Sequence, residues 1–346
     1  MLRGMSATIT SNPPFPAVET VAAVYPGTYH LTDLGESPEG LPLLPVALND
    51  AGQVALYGHP PERQTKLGQV RGFLREGITL HEHLATFGGV PLAGLSANGL
   101  ICGQERAGPG PLRAWAKHLG NIGATHWPEV ESGAMAVNTR GDTAGYVAFE
   151  ADGRVRRRVF LVNARNEARF LPAPNGSSAI PSAINEAGAV LINSATGFYE
   201  FNSQALIWRN GVCTPIAGLD GGGIWGAALT PEGRVAGRLF TTLGGIRAFL
   251  HENGCTYDLN RGRGFQSEAL ALNDQRVVVG RLLGLDGQRQ AFRWTPADGM
   301  RLLSELVPRV SGWALQKAVA INASGQIAGT GQFNQAPRGF LLTPVG

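Results

Sequence analysis

Short apolar runs separated by turn residues repeat along this chain of 346 residues. The first clear copy, ALNDAGQVAL from Ala47, places Asn-x-x-Gly between two apolar stretches, which is typical of a turn between strands. The same phrase begins again at residues 94, 136, 183, 228, 271 and 320, so that successive copies lie 42 to 49 residues apart. A regular period of this size is typical of a propeller or a solenoid.

A second phrase runs in register with the first and begins at Arg71, Arg113, Arg158, Gln204, Arg247, Gln290 and Arg338. A third, looser phrase follows most copies of the second. Each unit is therefore predicted to contain four short strands, and no long stretch has the i, i+3, i+4, i+7 spacing that a helical solenoid would need. The pattern predicts an all-β fold, a seven-bladed β-propeller with four-stranded blades.

The turn position of the repeat carries a hydrogen-bonding side chain in every copy. Five copies have Asn and two have Ser96 or Thr230; the asparagines are Asn49, Asn138, Asn185, Asn273 and Asn322. We expect a structural role, in which the side-chain oxygen accepts a hydrogen bond from the backbone two residues on. Glycine follows three residues later in six copies, because the last residue of such a turn often has a positive φ, which glycine adopts most easily. The sixth copy has Arg276, which predicts a differently shaped turn or strain.

Side-chain size indicates which strand lies innermost. The first residue of the repeated phrase, two positions before the turn residue, is always small. It is Ala47, Gly94, Ala136, Ala183, Ala228, Ala271 or Ala320. Bulky residues occupy the second phrase, at Phe73, Trp115, Phe160, Leu206, Phe249, Phe292 and Phe340. Small residues suit the narrow inner edge of a wedge-shaped blade, and bulky ones suit the outer part where the blades diverge.

The two ends of the chain predict how the ring closes. The last unit has only three strands, whereas GTYHLTDLG at residues 27–35 resembles an outer strand without a unit before it. We therefore expect this N-terminal strand to close the last blade, which removes exposed strand edges. Residues 27–346 then form one propeller domain, and residues 1–26 form a tail that is predicted to be poorly ordered.

Composition narrows the partners and the compartment. The net charge is only +3, which favours neither a polyanion nor nucleic acid as partner. No apolar run is long enough to span a membrane, and the start has no signal-peptide pattern. Three cysteines suggest free thiols in a reducing compartment. We expect a soluble, cytoplasmic monomer that needs no cofactor and no metal.

The phrase A-[IL]-N-x-x-G-x-[IV]-x-G, paired with a small and an aromatic residue, resembles the HAF repeats, a family of probable extracellular repeats. The resemblance covers residues 28–346 and includes the lead-in YHLTDLG. It implies a propeller-like fold and no catalytic residue. The chain departs from the family name, because the His position holds Arg or Gln, and the family's extracellular label disagrees with the cytoplasmic expectation.

The loops that join one blade to the next are the most variable, as binding loops on a rigid scaffold tend to be. Three of them hold a tryptophan a few residues before an innermost strand: Trp127, Trp225 and Trp313. One interpretation is an aromatic ligand-binding floor at the mouth of the central channel. The other is that each ring fills the top of its own blade.

The leading hypothesis is a binding or scaffold propeller that recognises a protein, a small molecule or a carbohydrate on this variable-loop face. The alternative is a hydrolase or lyase acting on a carbohydrate or similar polar substrate. Its candidate catalytic residues are His126, Glu129 and Glu131, which are close in sequence and would do acid–base work if they converged. His81 and His83 share one side of a strand but are too few for a zinc site.

Overall fold

The computed structural model describes residues 28–58, 69–87, 91–106, 110–173, 177–195, 202–219, 221–242, 245–260, 266–308 and 312–345. Seven antiparallel sheets follow one another along these ranges, each built from one sequence repeat. The tail predicted for residues 1–26 lies outside the described residues.

The strands are numbered along the chain, beginning with β1 (Tyr29–Asp33). Blade 1 contains β2 to β5: Leu43–Leu48, Val54–Gly58, Gln69–Glu76 and Thr79–Phe87. Blade 2 contains β6 to β8, followed by helix α1: Gly94–Leu95, Ile101–Glu105, Arg113–Ala116 and Ile122–His126. Blade 3 contains β9 to β12: Ser132–Val137, Thr143–Ala151, Arg154–Val162 and Ala168–Phe170.

Blades 4 to 7 follow the same order. Blade 4 contains β13 to β16: Ser178–Ile184, Val190–Ala195, Ser203–Arg209 and Val212–Pro215. Blade 5 contains β17 to β20: Ile224–Leu229, Val235–Phe240, Ile246–Glu252 and Cys255–Asp258. Blade 6 contains β21 to β24: Gln266–Leu272, Val278–Leu283, Arg289–Thr295 and Gly299–Leu302. Blade 7 contains β25 to β27: Trp313–Ile321, Ile327–Phe333 and Ala336–Pro344.

The ring is closed by the N-terminal strand, as the sequence predicts. Strand β1 pairs antiparallel with β27, from Tyr29 opposite Pro344 to Asp33 opposite Phe340. It thereby supplies the outer strand of blade 7. The first strands of neighbouring blades contact one another around the whole ring, and β2 of blade 1 contacts β25 of blade 7. The seven-bladed propeller fold is therefore confirmed.

Blade 2 departs from the four-stranded pattern of the other six. Its sheet has three strands within the described residues, and the chain then forms α1 where an outer strand was expected. The side-chain oxygen of Asn121 caps this helix by accepting from the backbone N–H of Ala124. Gly123 and Ala124 present little side chain for a pleated strand, and Pro128 stands two residues after the helix ends. The expectation of a fourth strand was wrong here.

The first strand of each blade lies where space is tightest. A Cβ placed on Gly94 would lie 2.8 Å from the sulfur of Cys102 and 3.0 Å from the Cα of Ala136 in the next blade. The bulky residues fill the interior as expected: Phe73, Phe160, Phe249, Phe292 and Phe340 are each at most 1% exposed. Glycine makes room for some of these rings, because a Cβ on Gly329 would lie 2.3 Å from the Phe340 ring.

The turns between first and second strands lie on one face of the propeller, which we call the Asn face. The side-chain oxygen of each turn asparagine accepts from the backbone N–H four residues on, whereas the sequence suggested two. The Asn138 oxygen also accepts from the backbone N–H of Arg140, two residues on, at 3.1 Å. A hydrogen bond from the N–H four residues on spans the whole turn, because its donor is the first residue after the turn. A bond from two residues on would stay inside the turn.

Each turn asparagine also bonds to the next blade. Its Nδ2 donates to the carbonyl of the equivalent residue there, at 3.0 to 3.2 Å: Asn49 to Ser96, Asn138 to Asn185, Asn185 to Thr230, Asn273 to Asn322 and Asn322 to Asn49. Ser96 and Thr230 cannot reach across in this way. Asn98 and Arg234 do so instead, by donating to the carbonyls of Thr139 and Asp274. A ring of hydrogen bonds therefore links all seven blades.

The sixth turn keeps the shape of the others although it lacks glycine. Arg276 has φ of +63°, close to the +77° to +89° of the six equivalent glycines. Its N–H donates to the carbonyl of Asn273, as the glycines do in their turns. Of the two expectations for this turn, a different shape was wrong. The other expectation was strain, and a left-handed conformation is strained at a residue that has a Cβ.

Candidate functional site

The three tryptophans lie in different blades and have different neighbours. Trp127 follows α1 and packs on Phe160 and Phe170 of blade 3, with ring centroids 4.6 and 5.7 Å away. Trp313 begins β25 and packs on Phe333 and Phe340 of its own blade. The Trp127 ring therefore packs between blades 2 and 3, whereas the Trp313 ring packs within its own blade.

Trp225 differs because its ring faces a charged group. It lies half-buried in β17, the first strand of blade 5, with the guanidinium of Arg238 at 5.4 Å from the ring centroid. No described ring contact joins any two of Trp127, Trp225 and Trp313. A ligand-binding role for the three remains a prediction.

The three proposed catalytic residues have separate partners. His126 Nε2 lies 3.1 Å from Oδ1 of Asn166, in the turn that joins β11 to β12. Glu129 is exposed. Glu131 accepts from the hydroxyl of Tyr146, at 3.2 Å. Because β10 and β11 pair with Thr143 opposite Val162, the turn that holds Asn166 lies on the Asn face.

Glu131 belongs to a small polar group between blades 2 and 3. Gln104 Nε2 donates to the Tyr146 hydroxyl at 3.0 Å and to the Ser132 carbonyl at 3.2 Å. Burial, and next the charge of Glu131, raise the pKa of Tyr146, so the hydroxyl stays protonated and donates to that carboxylate. The residues of this group form hydrogen bonds with one another, and these bonds link the two blades.

The Arg and Gln positions of the second phrase do not share one role. Arg113 donates to the Pro128 carbonyl in the loop before blade 3. Arg71, Arg247 and Arg338 form ion pairs with Glu or Asp side chains. Arg158 lies over the rings of Phe149 and Phe170. A repeated position in the sequence therefore does not produce a ring of equivalent donors.

A different repeated position separates the blades into two groups. It is a cross-strand pair between the first and second strands of a blade. Its first-strand member lies three residues before the small inner residue, towards the variable-loop end, which is opposite the Asn face. The pairs are Leu44–Tyr57, Gly133–Tyr146, Ile180–Asn193, Trp225–Arg238, Glu268–Arg281 and Lys317–Thr330. Among these six pairs, charge occurs in blades 5, 6 and 7 alone. We call Arg238, Glu268, Arg281 and Lys317, together with the exposed Arg289 at the start of β23, the cationic cluster.

Glu268 is the carboxylate of the cationic cluster and is only 8% exposed. Arg281, opposite it in blade 6, donates through Nε at 3.1 Å and through Nη2 at 2.8 Å, one bond to each oxygen. Arg238 of blade 5 lies 3.6 Å away through Nη1. This geometry is the two-pronged pairing that planar guanidinium and carboxylate groups favour. It holds both arginines at the junction of blades 5 and 6.

Lys317 brings a further positive charge to this junction from blade 7. It is half-buried, and burial is the main cause that lowers its pKa; the charge of Arg281 lowers the pKa further. Glu268 acts in the opposite direction, whereas Arg238 and Arg289 add to the lowering. Within the described ranges, the Lys317 ammonium forms no ion pair, so the surrounding charge is mainly repulsive.

The cationic cluster holds four cations and one carboxylate among the described residues. Such an excess in a partly buried place attracts anions, because a shielded field is stronger than one in open water. Trp225 lies beside it through the contact with Arg238 and adds an aromatic face. This end of blades 5 to 7 therefore brings cationic side chains and an aromatic ring together.

Sequence reasoning pointed to Trp225 here but missed the cationic cluster. A signal was present, because the third residue before the small inner residue changes from Leu44, Gly133 and Ile180 to Trp225, Glu268 and Lys317. Comparing the copies at that one position would have shown where charge enters the repeat. The convergence itself depends on the ring, since Trp225 and Lys317 are 92 residues apart.

No group of three metal-binding side chains is found among the described residues. His81 and His83 lie on the outer strand β5 with ring centroids 6.5 Å apart. In the part of the chain that the structure describes, no helix is long and apolar enough to cross a membrane.

The closed ring of antiparallel blades defines the chain as a seven-bladed β-propeller. No protein-family model matches it, and no curated protein matches its sequence. Its fold is similar to the β-propeller domain of the Trilobed protease from Pyrococcus furiosus, with a TM-score of 0.59 and 9% identity over 88% of this chain and 95% of that chain.

Two further solved structures show the same fold. The acylaminoacyl peptidase of Pyrococcus horikoshii has a TM-score of 0.55 and 8% identity over 86% of this chain, which spans 52% of the peptidase. YCF48 bound to D1 peptide has a TM-score of 0.50 and 11% identity over 92% of this chain and 95% of that chain. Identities this low establish the fold alone.

Proposed function

We propose that this chain is a non-catalytic binding propeller whose ligand site lies at the variable-loop end of blades 5 to 7. The observation that carries the proposal is the cationic cluster beside Trp225. At the same position, blades 1, 3 and 4 have pairs without charge, so the propeller fold does not need charged groups there. The site is partly open, since the Arg281 side chain is 36% exposed and Trp225 is half-buried.

Two of the similar structures are compatible with this proposal. YCF48 is a propeller of similar length that was solved with a D1 peptide, and it supports a protein or peptide as one kind of partner. The peptidases carry a propeller as about half of a longer chain, which supports a scaffold role for such a unit. A small molecule or carbohydrate is the other kind of ligand that the sequence suggests.

The alternative of a hydrolase or lyase depends on His126, Glu129 and Glu131 acting together. His126 contacts Asn166 on the Asn face, whereas Glu131 is bonded to Tyr146, beside Arg157. These separate partners favour the binding proposal over the catalytic one.

Membership of the HAF repeats, a monomeric state and a cytoplasmic location are part of the same proposal. The repeat phrases support the family. None of the three cysteines forms a disulfide, which supports a reducing compartment. Light scattering after size-exclusion chromatography tests the monomer, since a mass of twice 36.5 kDa would contradict it.

The binding site can be tested with a thermal-shift screen of acidic and neutral peptides, glycans and nucleotides. Compounds that stabilise the wild type are then measured against Trp225→Leu and against Arg165→Gln. Arg165 is exposed in the β11–β12 turn on the Asn face and serves as the control. We expect binding to weaken in Trp225→Leu and to persist in Arg165→Gln. Ligands that bind both variants equally, or a screen without any ligand, would overturn the proposed site.

A further inference from the structure

The residue that begins the second phrase has a matching partner on the outer strand in most blades. The partner lies opposite the bulky core residue, which stands two positions further along the phrase. In blades 1, 5 and 7 the phrase begins with arginine, which pairs there with an acid: Glu82, Asp258 or Asp33. In blades 4 and 6 it begins with glutamine, and the opposite residue is the uncharged Pro215 or Leu302. Charge is therefore matched within each of these blades.

Blade 3 does not have this match. Its phrase begins with Arg158, but the residue opposite the bulky Phe160 is Phe170 instead of an acid. The guanidinium carbon of Arg158 lies 5.4 Å from the centre of the Phe149 ring and 5.1 Å from that of Phe170. These rings attract the cation, but they do not accept its directed N–H bonds as a carboxylate does. Arg158 is exposed and forms no ion pair within the described ranges. Blade 3 therefore keeps the cation of the repeat and lacks its carboxylate.

The side of blade 3 that holds Arg158 is open to a partner. It faces blade 2, where Phe160 shares a core cluster with Ile122 of α1. Blade 2 has α1 in place of an outer strand, and farther out the exposed fraction of Phe170 is 45%. The Trp127 ring packs on Phe170 at 5.7 Å and supports it from the side of α1. Arg158 and Phe170 can therefore be reached together from outside the propeller.

The charges around Arg158 favour an anion. Alternate residues of a strand share one side, so Arg154 and Arg156 lie on the same side of β11 as Arg158. Arg156 pairs with Asp152 at 2.9 Å, and Arg154 is exposed on the β10–β11 hairpin. Glu150 of β10 lies on the other side of the hairpin, because it is opposite Val155. This side of blade 3 therefore carries more positive than negative charge.

We propose that Phe149, Arg158 and Phe170, which we call the blade 3 surface, bind an acidic segment of a partner protein. An Asp or Glu side chain of the partner takes the place of the missing carboxylate. Other blades show that a carboxylate fits beside this arginine, since Asp258 lies 2.6 Å from Arg247 in blade 5. The exposed Phe170 ring adds an apolar contact for the neighbouring side chain of the partner. A nucleic acid strand is disfavoured, because it neutralises a longer row of unpaired cations.

An array of immobilised peptides tests the blade 3 surface with the full chain. Each peptide has a central Asp or Glu, and the residues on both sides of it are varied. We expect binding where an apolar or aromatic residue adjoins the acid. The peptides that bind are made again with Asn or Gln at the centre, and fluorescence anisotropy should show these binding at least about tenfold weaker. An array without any bound peptide, or amide versions that bind as tightly as the acids, would overturn the inference.

Variants of equivalent arginines show where the peptides bind. Arg158→Gln should weaken the acidic peptides at least about tenfold, through the loss of a charge-assisted pair. Arg247→Gln is the matched control, because it removes the equivalent arginine of blade 5, which already has Asp258. Trp225→Leu separates this surface from the site proposed in blades 5 to 7. Both controls should bind as the wild type does, and a loss equal to that in Arg158→Gln would mean that the peptides bind elsewhere.

Restoring the missing acid gives a second test. Phe170→Asp supplies the carboxylate that blades 5 and 7 carry at this position, so the chain's own acid should pair with Arg158. Phe170→Asn removes the same ring without adding charge. We expect the Asp variant to bind acidic peptides at least about tenfold more weakly than the Asn variant, with thermal unfolding as the check that both fold. Equal binding by the two variants would contradict the inference.

A single-stranded oligothymidine is measured in the same way. We expect its binding to be unchanged by Arg158→Gln. If the oligothymidine depends on Arg158 while no acidic peptide does, the surface binds nucleic acid and the inference is wrong.

Discussion

The repeat is uniform on the Asn face and divergent at the variable-loop end of blades 5 to 7. On the Asn face, five asparagines make the same bond to the next blade, and two substitutes reach across where asparagine is missing. At the other end, one cross-strand position holds apolar, polar or charged pairs in different blades. Uniform bonds build the scaffold, and the divergent position is where a specific site is placed.

The largest expected effect comes from removing the carboxylate of the cationic cluster. Glu268→Gln removes the buried carboxylate that pairs with both Arg238 and Arg281, and we expect a loss of about 3 kcal/mol of unfolding free energy. Urea denaturation at low salt measures it. Adding Lys317→Gln should recover part of the loss. A cost within about 0.5 kcal/mol, as for an ordinary surface change, would show that the cations do not repel appreciably.

Next in size is the loss of one turn asparagine. Asn185→Ala removes the bond to the Thr230 carbonyl and the one from the Ala189 N–H, both in buried surroundings. We expect a cost of about 2 kcal/mol in chemical denaturation, because buried groups lose their partners. Asn166→Ala, at a half-buried turn position outside the ring of turn asparagines, is the control and should cost less. Equal costs would mean that the link between blades adds nothing.

A smaller effect of opposite sign is expected from Lys317→Gln. Burial first, and repulsion from Arg281 second, lower the pKa of Lys317 in the folded protein below its ordinary value of 10.5. Below the folded pKa, Lys317 is protonated in both states, and the folded state carries the unfavourable free energy of the buried charge. Between the folded pKa and 10.5, the unfolded state binds more protons than the folded state, so the stability rises with pH. Lys317→Gln should therefore be more stable than wild type by on the order of 0.5 to 1 kcal/mol at neutral pH.

The pH profile of urea denaturation checks this sign. The advantage of Lys317→Gln should shrink as pH rises towards 10.5, whereas Arg154→Gln should follow the wild type throughout. A variant that is less stable than wild type at neutral pH would mean that Lys317 is attracted more than it is repelled.

The smallest effect concerns the one turn that lacks glycine. Arg276 is strained by its positive φ but also pairs with the buried Glu252. In a Glu252→Gln background, where that charge is absent, Arg276→Gly should raise the unfolding free energy by about 0.5 kcal/mol, the part of the left-handed penalty that exceeds the entropy cost of glycine. No gain, or a loss, would show that the turn accepts arginine without strain.

The sequence predicted the fold well because the evidence for it is local and repeated. Seven copies of a turn, a small residue and an aromatic residue each report the same position in a blade, and β1 was recognised as an outer strand without a unit. Blade 2 was the exception, since Asn121 to Pro128 favour a short helix through capping and small residues rather than through any repeated phrase.

The candidate site was predicted only in part. Trp225 was recognised as an aromatic near an inner strand, but its partner Arg238 was not. Trp127 and Trp313 satisfied the same sequence rule but pack on phenylalanine rings. A rule based on loop position does not distinguish a ring that packs on phenylalanine from one that faces a guanidinium, because that depends on strand register.

The sequence by itself determined the number of blades, the narrow inner strands and the strand that closes the ring, because residue size and turn chemistry act within a few positions of each other. Only the tertiary structure decided that asparagine amides link successive blades and that Arg238, Glu268, Arg281 and Lys317 share one place. The asparagine links join residues at least 45 positions apart, and Arg238 and Glu268, which belong to different blades, interact only once the ring brings them within a few ångströms.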